Sequence, residues 1–290
     1  MVEHCFRKAG VVGSSPVFGF VNLQEKYNSL IKIVKSLGTV ALAYSGGTDS
    51  TFLLKVLIDT LGKENVLACL CVSELLTPVK HKQAIEQAKQ AGAKLVELKF
   101  DILTDPKFTS NPPDKCYICK MKIYGLIAKT AKEKGFNSIV SGTNFDDLDD
   151  YRPGNKAAEE FGVTNPLAQA RLTKPEIRQL SRNMSLSTAD TPSSPCLASR
   201  VPYGQIITKE KLTQTGQAED YLKSLGFVNL RVRHHDTLAK IEVPPSDFAK
   251  ITEQSIREKI TEKFKSIGFK YITLDLQGFR SGSLNETLKQ

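Results

Sequence analysis

The sequence predicts a doubly wound α/β domain, Rossmann-like in its strand–helix alternation, with a smaller C-terminal α+β domain, and three observations carry that prediction. From Leu23 to about residue 183, short and nearly continuous apolar runs alternate with stretches of 3.6-residue period. This is the pattern of βαβ units, whose parallel sheet is covered by helices on both faces. The first apolar run, Val40-Ala41-Leu42-Ala43-Tyr44, passes through Ser45-Gly46-Gly47-Thr48-Asp49-Ser50 into a helical stretch. Such a strand-to-helix junction lies at the ligand-binding end of an open parallel sheet. Beyond residue 205, two strand-like runs follow one another without a helix between them, which requires antiparallel pairing.

The elements are expected in order. An amphipathic helix over residues 25–37 precedes the strand 40–44 and the helix 51–61. A strand at 66–73 leads to a helix at 78–91, closed by Gly92, and a strand at 94–100. After an irregular stretch, 105–113, come a helix at 117–134 stopped by Gly135, a strand at 138–142 and a helix at 174–183. Thr173 is the expected N-cap of that last helix and Pro175 lies in its first turn. Residues 184–205 are rich in Ser, Pro and Thr, so the boundary is placed near 204. The expected domains are therefore 22–204 and 205–290. The second reads as helix 209–225, strands 230–234 and 238–243, helix 246–267 and strand 271–276. Ser224-Leu225-Gly226-Phe227 and Ser266-Ile267-Gly268-Phe269 suggest a weak internal repeat, which shared helix-terminating chemistry explains equally well.

With 290 residues, 40% of them apolar, the chain has material for one large core and a smaller one. No apolar run reaches the 18 residues that a membrane-spanning helix needs. The net charge of +9 permits anionic partners such as a nucleotide, a phosphorylated substrate or RNA. The excess is spread over both halves, so no basic tail argues for nucleic acid. Six cysteines without a secretory signal predict a reducing, cytoplasmic setting rather than a disulfide framework. Cys69 and Cys71 point to one face of a strand, as core thiols do. Residues 1–21, with Cys5 among them, show no period and read as a loose N-terminal extension. Arg7-Lys8-Ala9-Gly10-Val11-Val12-Gly13-Ser14-Ser15-Pro16 looks like the translated end of a transfer-RNA gene, which places the genuine start near Val21.

The loop Ser45–Ser50 has the makings of a pyrophosphate cradle. Its two glycines permit close backbone approach, the next helical turn offers free N–H groups, and Ser45 and Ser50 add hydroxyls. Asp49 is a carboxylate suited to Mg²⁺. The loop contains no lysine, which separates it from the lysine-bearing loop of other nucleotidases. Cys116-Tyr117-Ile118-Cys119 spaces two thiolates to grip one metal centre, and Cys196 supplies a third. Three thiolates without an evident fourth ligand leave three readings open: an incidental set, a zinc site completed by another side chain, or a four-iron cluster with one iron open. Arg231 and Arg233, two apart in one strand, present guanidinium groups on one face, as a phosphate clamp or as solvated strand residues.

These residues, with Pro113-Asp114-Lys115-Cys116, Gly142-Thr143-Asn144-Phe145-Asp146-Asp147, Asp150-Tyr151-Arg152-Pro153-Gly154, Ser199-Arg200-Val201-Pro202-Tyr203-Gly204 and Gly278-Phe279-Arg280-Ser281-Gly282, resemble a known family. The loop resembles the PP-loop of ATP pyrophosphatases. The whole set, in order over about residues 22–290, resembles the LarE-type ATP-dependent sulfur transferases of nickel-pincer cofactor biosynthesis. The resemblance implies an enzyme that adenylylates a carboxylate of a pyridinium dicarboxylate mononucleotide, releasing pyrophosphate, and then replaces AMP with sulfur. It implies ATP held by Ser45, Gly46, Gly47, Thr48, Asp49, Ser50 and Gly142, and Mg²⁺ at Asp49; Asp146 and Asp147 read either as assisting that ion or as a solvated acidic run in a loop. Lys120 would serve the α-phosphate or the substrate; Arg231, Arg233 and Arg280 would hold the substrate nucleotide, with Ser199 and Arg200 near its carboxylate. Glu219, Glu242 and Asp247 would hold a further divalent ion.

Family members with a single cysteine give up its sulfur once. Cys116, Cys119 and Cys196 match the three-cysteine type instead, in which a [4Fe-4S] cluster takes sulfide from a donor. Self-association through the C-terminal domain is implied as well. The alternatives are a PP-loop tRNA thiolase, which this chain lacks the zinc ribbons and aromatic stacking platform to support, an amide-forming synthetase without its glutaminase, and a zinc-bearing nucleotide or RNA-binding module without turnover.

Overall fold

The computed structural model describes residues 17–148, 153–192, 195–280 and 282–288. Cys5, the stretch 7–16, Asp150, Tyr151, Arg152, Ser194 and Ser281 lie outside them, so those expectations are not addressed. In chain order the elements are α1 (Val17–Lys35), β1 (Val40–Tyr44), α2 (Thr48–Leu61), β2 (Val66–Val72), α3 (Pro78–Gln90), β3 (Lys94–Lys99), α4 (Pro106–Thr109), α5 (Lys115–Glu133) and β4 (Ser138–Ser141). Then follow α6 (Gly154–Glu160), α7 (Pro166–Gln169), α8 (Lys174–Asn183), α9 (Lys209–Ser224), β5 (Arg231–His235), β6 (Leu238–Glu242), α10 (Phe248–Thr252), α11 (Gln254–Ile267) and β7 (Tyr271–Leu274). β1 and α8 fall where the apolar period and the capping residues placed them. Thr173 and Glu176 close a capping box at the start of α8, each satisfying a backbone N–H that the first turn leaves over.

Three expectations shift. α1 begins at Val17, inside the stretch read as a loose extension. α5 begins at Lys115, two residues before its expected start, so Cys116 as well as Cys119 of the junction pair lies in its first turns. The single helix expected at 246–267 is a short 3₁₀ turn, α10 and α11, broken at Glu253, whose backbone is extended.

By packing, the chain falls into two compact units, neither a single stretch. The first takes in residues 81–98 and 120–191 together with the chain up to Cys71. Its sheet has the order β3-β2-β1-β4, with β1 parallel to both β2 and β4. The chain therefore moves outward from β1 to β3 on one side and returns to β4 on the other, so the carboxyl ends of β1 and β4 form the topological switch point where such sheets bind ligands. Leu53, Leu54 and Leu57 of α2, Leu167 of α7 and Ile177 and Leu180 of α8 are buried with Val40, Leu42, Ala68 and Leu70 of the strands. Cys69 and Cys71 of β2 behave as core thiols: burial pushes them up to about 12 and about 11.

The second unit comprises residues 72–80, 99–119 and 192–290, so the start expected at 205 lies inside it. Its sheet, β5-β6-β7, is mixed: β5 and β6 pair antiparallel, whereas β6 and β7 pair parallel across the α10–α11 crossover. Ala218 and Leu222 of α9 and Ile260 and Phe264 of α11 bury Val232, Ala239 and Ile241 beneath them. A second cluster joins Ile102 and Phe108 to Leu197, Ala198, Val201 and Ile207. That cluster is why segments far apart in sequence pack as one body. Asn111, fully buried at positive φ, donates to the carbonyls of Val201, Pro202 and Gln205 and ties the two segments.

Candidate functional site

In the first unit, the site begins where β1 ends. Gly46 takes φ +71°, and a Cβ there would lie 2.5 Å from Ala84 Cβ, so only glycine fits without displacing α3. Gly47 caps α2 without a side-chain bond to the first-turn N–H groups. Thr48, Asp49 and Ser50 are thus the first helical residues rather than loop. Ser50 Oγ is the hub: it donates to the Gly47 carbonyl at 3.1 Å, accepts from the Ser45 N–H at 3.3 Å and lies 3.1 Å from Ser45 Oγ. Thr48 Oγ1 donates to the Thr188 carbonyl at 2.9 Å. The result is a preorganised turn, braced by its own hydroxyls at the sheet end, whose helix start is suited to an anion.

β4 delivers Gly142 against this turn. A Cβ on Gly142 would stand 3.0 Å from the Ser50 N and 3.2 Å from the Asp49 carbonyl carbon. Gly142→Ala is therefore expected to destabilise the chain by about 1–3 kcal/mol through overpacking against backbone. Urea melts read the effect.

Asp49 is braced on both oxygens. Asn144 Nδ2 donates at 3.3 Å and Lys174 Nζ at 2.7 Å. Asp147 and Asn144 exchange hydrogen bonds of 3.2 and 3.1 Å, and Asp146 accepts the Lys174 backbone N–H at 2.8 Å. The two aspartates expected to assist a metal thus hold Asn144 and the start of α8. Lys174 was not singled out by sequence; its signal was the Thr173 cap and Pro175, which fix it as the first residue of a helix.

In the second unit, Cys116 and Cys119 lie one turn apart on α5, and Ile118 and Cys119 pack against the cluster containing Leu197, next to Cys196. None of the three forms a disulfide, and Cys116 and Cys196 are exposed. They are soft donors of the kind iron and zinc take. Among the described residues, however, no three His, Cys, Asp or Glu side chains are grouped closely enough to hold a metal ion. Lys115, a second residue sequence reasoning passed over, is 2% exposed. Its Nζ finds no hydrogen-bond acceptor and sits 3.8 Å from the centre of the Tyr203 ring. Burial pushes its pKa down, and the charges of Cys116 and Cys196 pull it partly back up. Lys120, the next residue after the pair, belongs to the first unit, with its ammonium 5.2 Å from the Tyr124 ring centre.

The arginines are interleaved with carboxylates. Arg200, fully buried, makes a two-pronged pair with Glu219 at 2.7 and 3.0 Å and reaches Ser199 Oγ at 2.7 Å. Arg233 pairs likewise with Glu242 at 3.0 and 2.9 Å and donates to the Ser199 carbonyl at 2.7 Å. Burial, then the nearby Arg200, lowers Arg231 to about 10; its guanidinium carbon lies 5.0 Å from the Phe279 ring centre. Arg280 pairs with Glu286 at 3.1 Å. Glu219 and Glu242 are therefore engaged by guanidinium groups, Asp247 ends a 3₁₀ turn, and the three give the expected second metal ion no support as placed.

Parallel four-stranded sheet with flanking helices, a glycine turn at its switch point and a small mixed sheet define an α/β protein of the Rossmann-like class with an added small domain. Its relatives narrow that class. The chain belongs to the LarE family: it is 37% identical to the pyridinium-3,5-bisthiocarboxylic acid mononucleotide synthase of Lactiplantibacillus plantarum over 92% of this chain and 96% of that one. Uncharacterized proteins of Synechocystis sp. and Methanocaldococcus jannaschii are 40% and 31% identical over 92% and 90% of this chain, and 99% and 95% of their own. No protein-family model matches the chain. The chain is thus an enzyme of the sulfur-transferring type that its motifs resemble, and no described helix is long and apolar enough to cross a membrane.

Proposed function

We propose that this chain converts a carboxylate of a pyridinium dicarboxylate mononucleotide into a thiocarboxylate at the expense of ATP, for a nickel-pincer cofactor. The observation that carries the reading is 37% identity over 92% of the chain to an enzyme named for the bisthiocarboxylated product. A carboxylate oxygen is a poor leaving group, so one oxygen attacks the α-phosphorus of ATP and pyrophosphate departs. Hydrosulfide then attacks the acyl carbon; the C–S bond forms, the C–O bond to AMP breaks with its electron pair on AMP, and the sulfur-borne proton passes to solvent.

In this reading the turn Ser45–Ser50 and Gly142 hold the departing pyrophosphate. Asp49, a partly exposed carboxylate, is the residue to hold Mg²⁺, which would neutralise charge on the leaving oxygens. Arg231, Arg233 and Arg280 are the cations for the nucleotide phosphate, with Ser199 and Arg200 near the reacting carboxylate. Lys120 serves the α-phosphate. Cys116, Cys119 and Cys196 are the ligands of a [4Fe-4S] cluster, which when bound would supply an iron open to an external ligand. The placement of the three cysteines in one unit, none of them in a disulfide, and the resemblance support that assignment; cluster binding requires the three side chains to turn toward one centre.

The test is anaerobic incubation with ATP, Mg²⁺, sulfide and the dicarboxylated pyridinium nucleotide. Thiocarboxylate by mass spectrometry, with AMP and pyrophosphate formed only when the nucleotide is present, is the expected result. Pyrophosphate release that ignores the nucleotide would remove the reading. Full activity in protein without iron would remove the cluster alone.

A further inference from the structure

We infer that Lys174 is the phosphate-binding lysine that the Ser45–Ser50 turn lacks, delivered from the start of α8 and exchanging Asp49 for the β-phosphate when ATP and Mg²⁺ bind. The inference rests on the reading of that turn as a pyrophosphate cradle. Three structural features carry it.

The turn offers hydroxyls and N–H groups but no side-chain cation of its own, although a triphosphate brings several negative charges. Lys174 brings one from 125 positions away: its Nζ lies 2.7 Å from Asp49 Oδ1, on a side chain 29% exposed. The residue is held to this place by its backbone, not by the ion pair. Its N–H donates to Asp146 Oδ2 at 2.8 Å, and the Thr173–Glu176 capping box and Pro175 fix the helix start around it. A lysine positioned by its backbone keeps a mobile ammonium, free to change acceptor.

Charge balance then makes the exchange favourable. A carboxylate prefers Mg²⁺ to a single ammonium, and Asn144 at 3.3 Å still orients its second oxygen. Once Asp49 turns to the metal, the Lys174 ammonium has lost its acceptor beside an incoming polyphosphate. It moves onto a phosphate oxygen and stays there as negative charge grows on the leaving group. No proton or electron changes hands in this exchange.

The experiment is titration calorimetry of the full chain with inorganic pyrophosphate in magnesium-free buffer, on wild type, Lys174→Met, Lys174→Arg and Asp49→Asn. Lys174→Met is expected to weaken binding at least about tenfold, the scale of a lost hydrogen bond to a charged group. Lys174→Arg should recover most of it. Asp49→Asn is expected to tighten magnesium-free binding, because it removes a negative charge and releases the ammonium. Opposite signs for Lys174→Met and Asp49→Asn support the inference. Shifts in the same direction, or none with Lys174→Met, overturn it and leave Lys174 as a brace for Asp49. A wild-type chain that binds no pyrophosphate would instead refute the cradle itself, and the lysine assignment with it.

Discussion

Asp49→Asn is expected to cut pyrophosphate release from Mg·ATP by roughly a hundredfold or more, the range seen when one charge-stabilising group is removed from a reacting centre. The substitution is nearly isosteric, and the neutral amide accepts the Lys174 ammonium only weakly. The fold should survive, since Asp49 sits at the first turn of α2 with a partly exposed side chain. What is lost is the anionic oxygen that suits Mg²⁺. A quenched-flow assay of labelled pyrophosphate checks this; unchanged rates at saturating magnesium would remove Asp49 from the chemistry. The same variant binding magnesium-free pyrophosphate more tightly would separate metal ligation from simple repulsion.

Arg200→Met carries the largest expected cost in stability, about 3–5 kcal/mol, because it leaves Glu219 buried without its guanidinium partner. Glu219 is 3% exposed and keeps only the Val232 N–H at 3.1 Å among its hydrogen bonds. Burial pushes the Glu219 carboxyl up, but its attraction to Arg200 and their hydrogen bonds outweigh that and hold it below the usual carboxylate range. A folded value below the unfolded one means stability that is present above about pH 4.3 and lost as the pH falls below it. In Arg200→Met the restraint is gone and burial dominates, so the carboxyl takes a proton more readily. The gap between the two proteins in urea melts should thus be widest at neutral pH and shrink in acid. A gap of constant size from pH 7 to pH 3.5 would show that lost packing, not uncompensated charge, sets the cost. Glu219→Gln should recover part of the loss in the Arg200→Met background, since both charges are then absent.

Much of the fold was legible because its signals are local. The apolar run of β1 and the Thr173–Pro175 start of α8 each depend on a few neighbouring residues, and both elements fell in place. The switch-point turn was legible because only Gly46 meets both the positive φ and the contact with Ala84. α4 lies in the stretch read as irregular, and α6 and α7 were not assigned, since four to seven residues carry too little period to be recognised. The partition of the chain was not legible either. Residues 99–119 join the second unit through buried contacts of Ile102 and Phe108 with Leu197 and Val201, and nothing in a local window announces a partner about 90 positions away.

For the candidate site the same division holds. The glycines, the loop aspartate, the cysteine spacing and the arginine pair are short patterns, and their chemistry follows from residue type and interval alone. Tertiary packing alone decided who meets whom. It set Lys174 on Asp49, turned Asp146 and Asp147 into braces, closed Glu219 and Glu242 on arginines, and buried Lys115 against the Tyr203 ring. The physical reason is range. Propensity, period and capping act over a few residues of chain, whereas a buried charge chooses its partner by distance in space, which a single chain's order of residues does not encode locally.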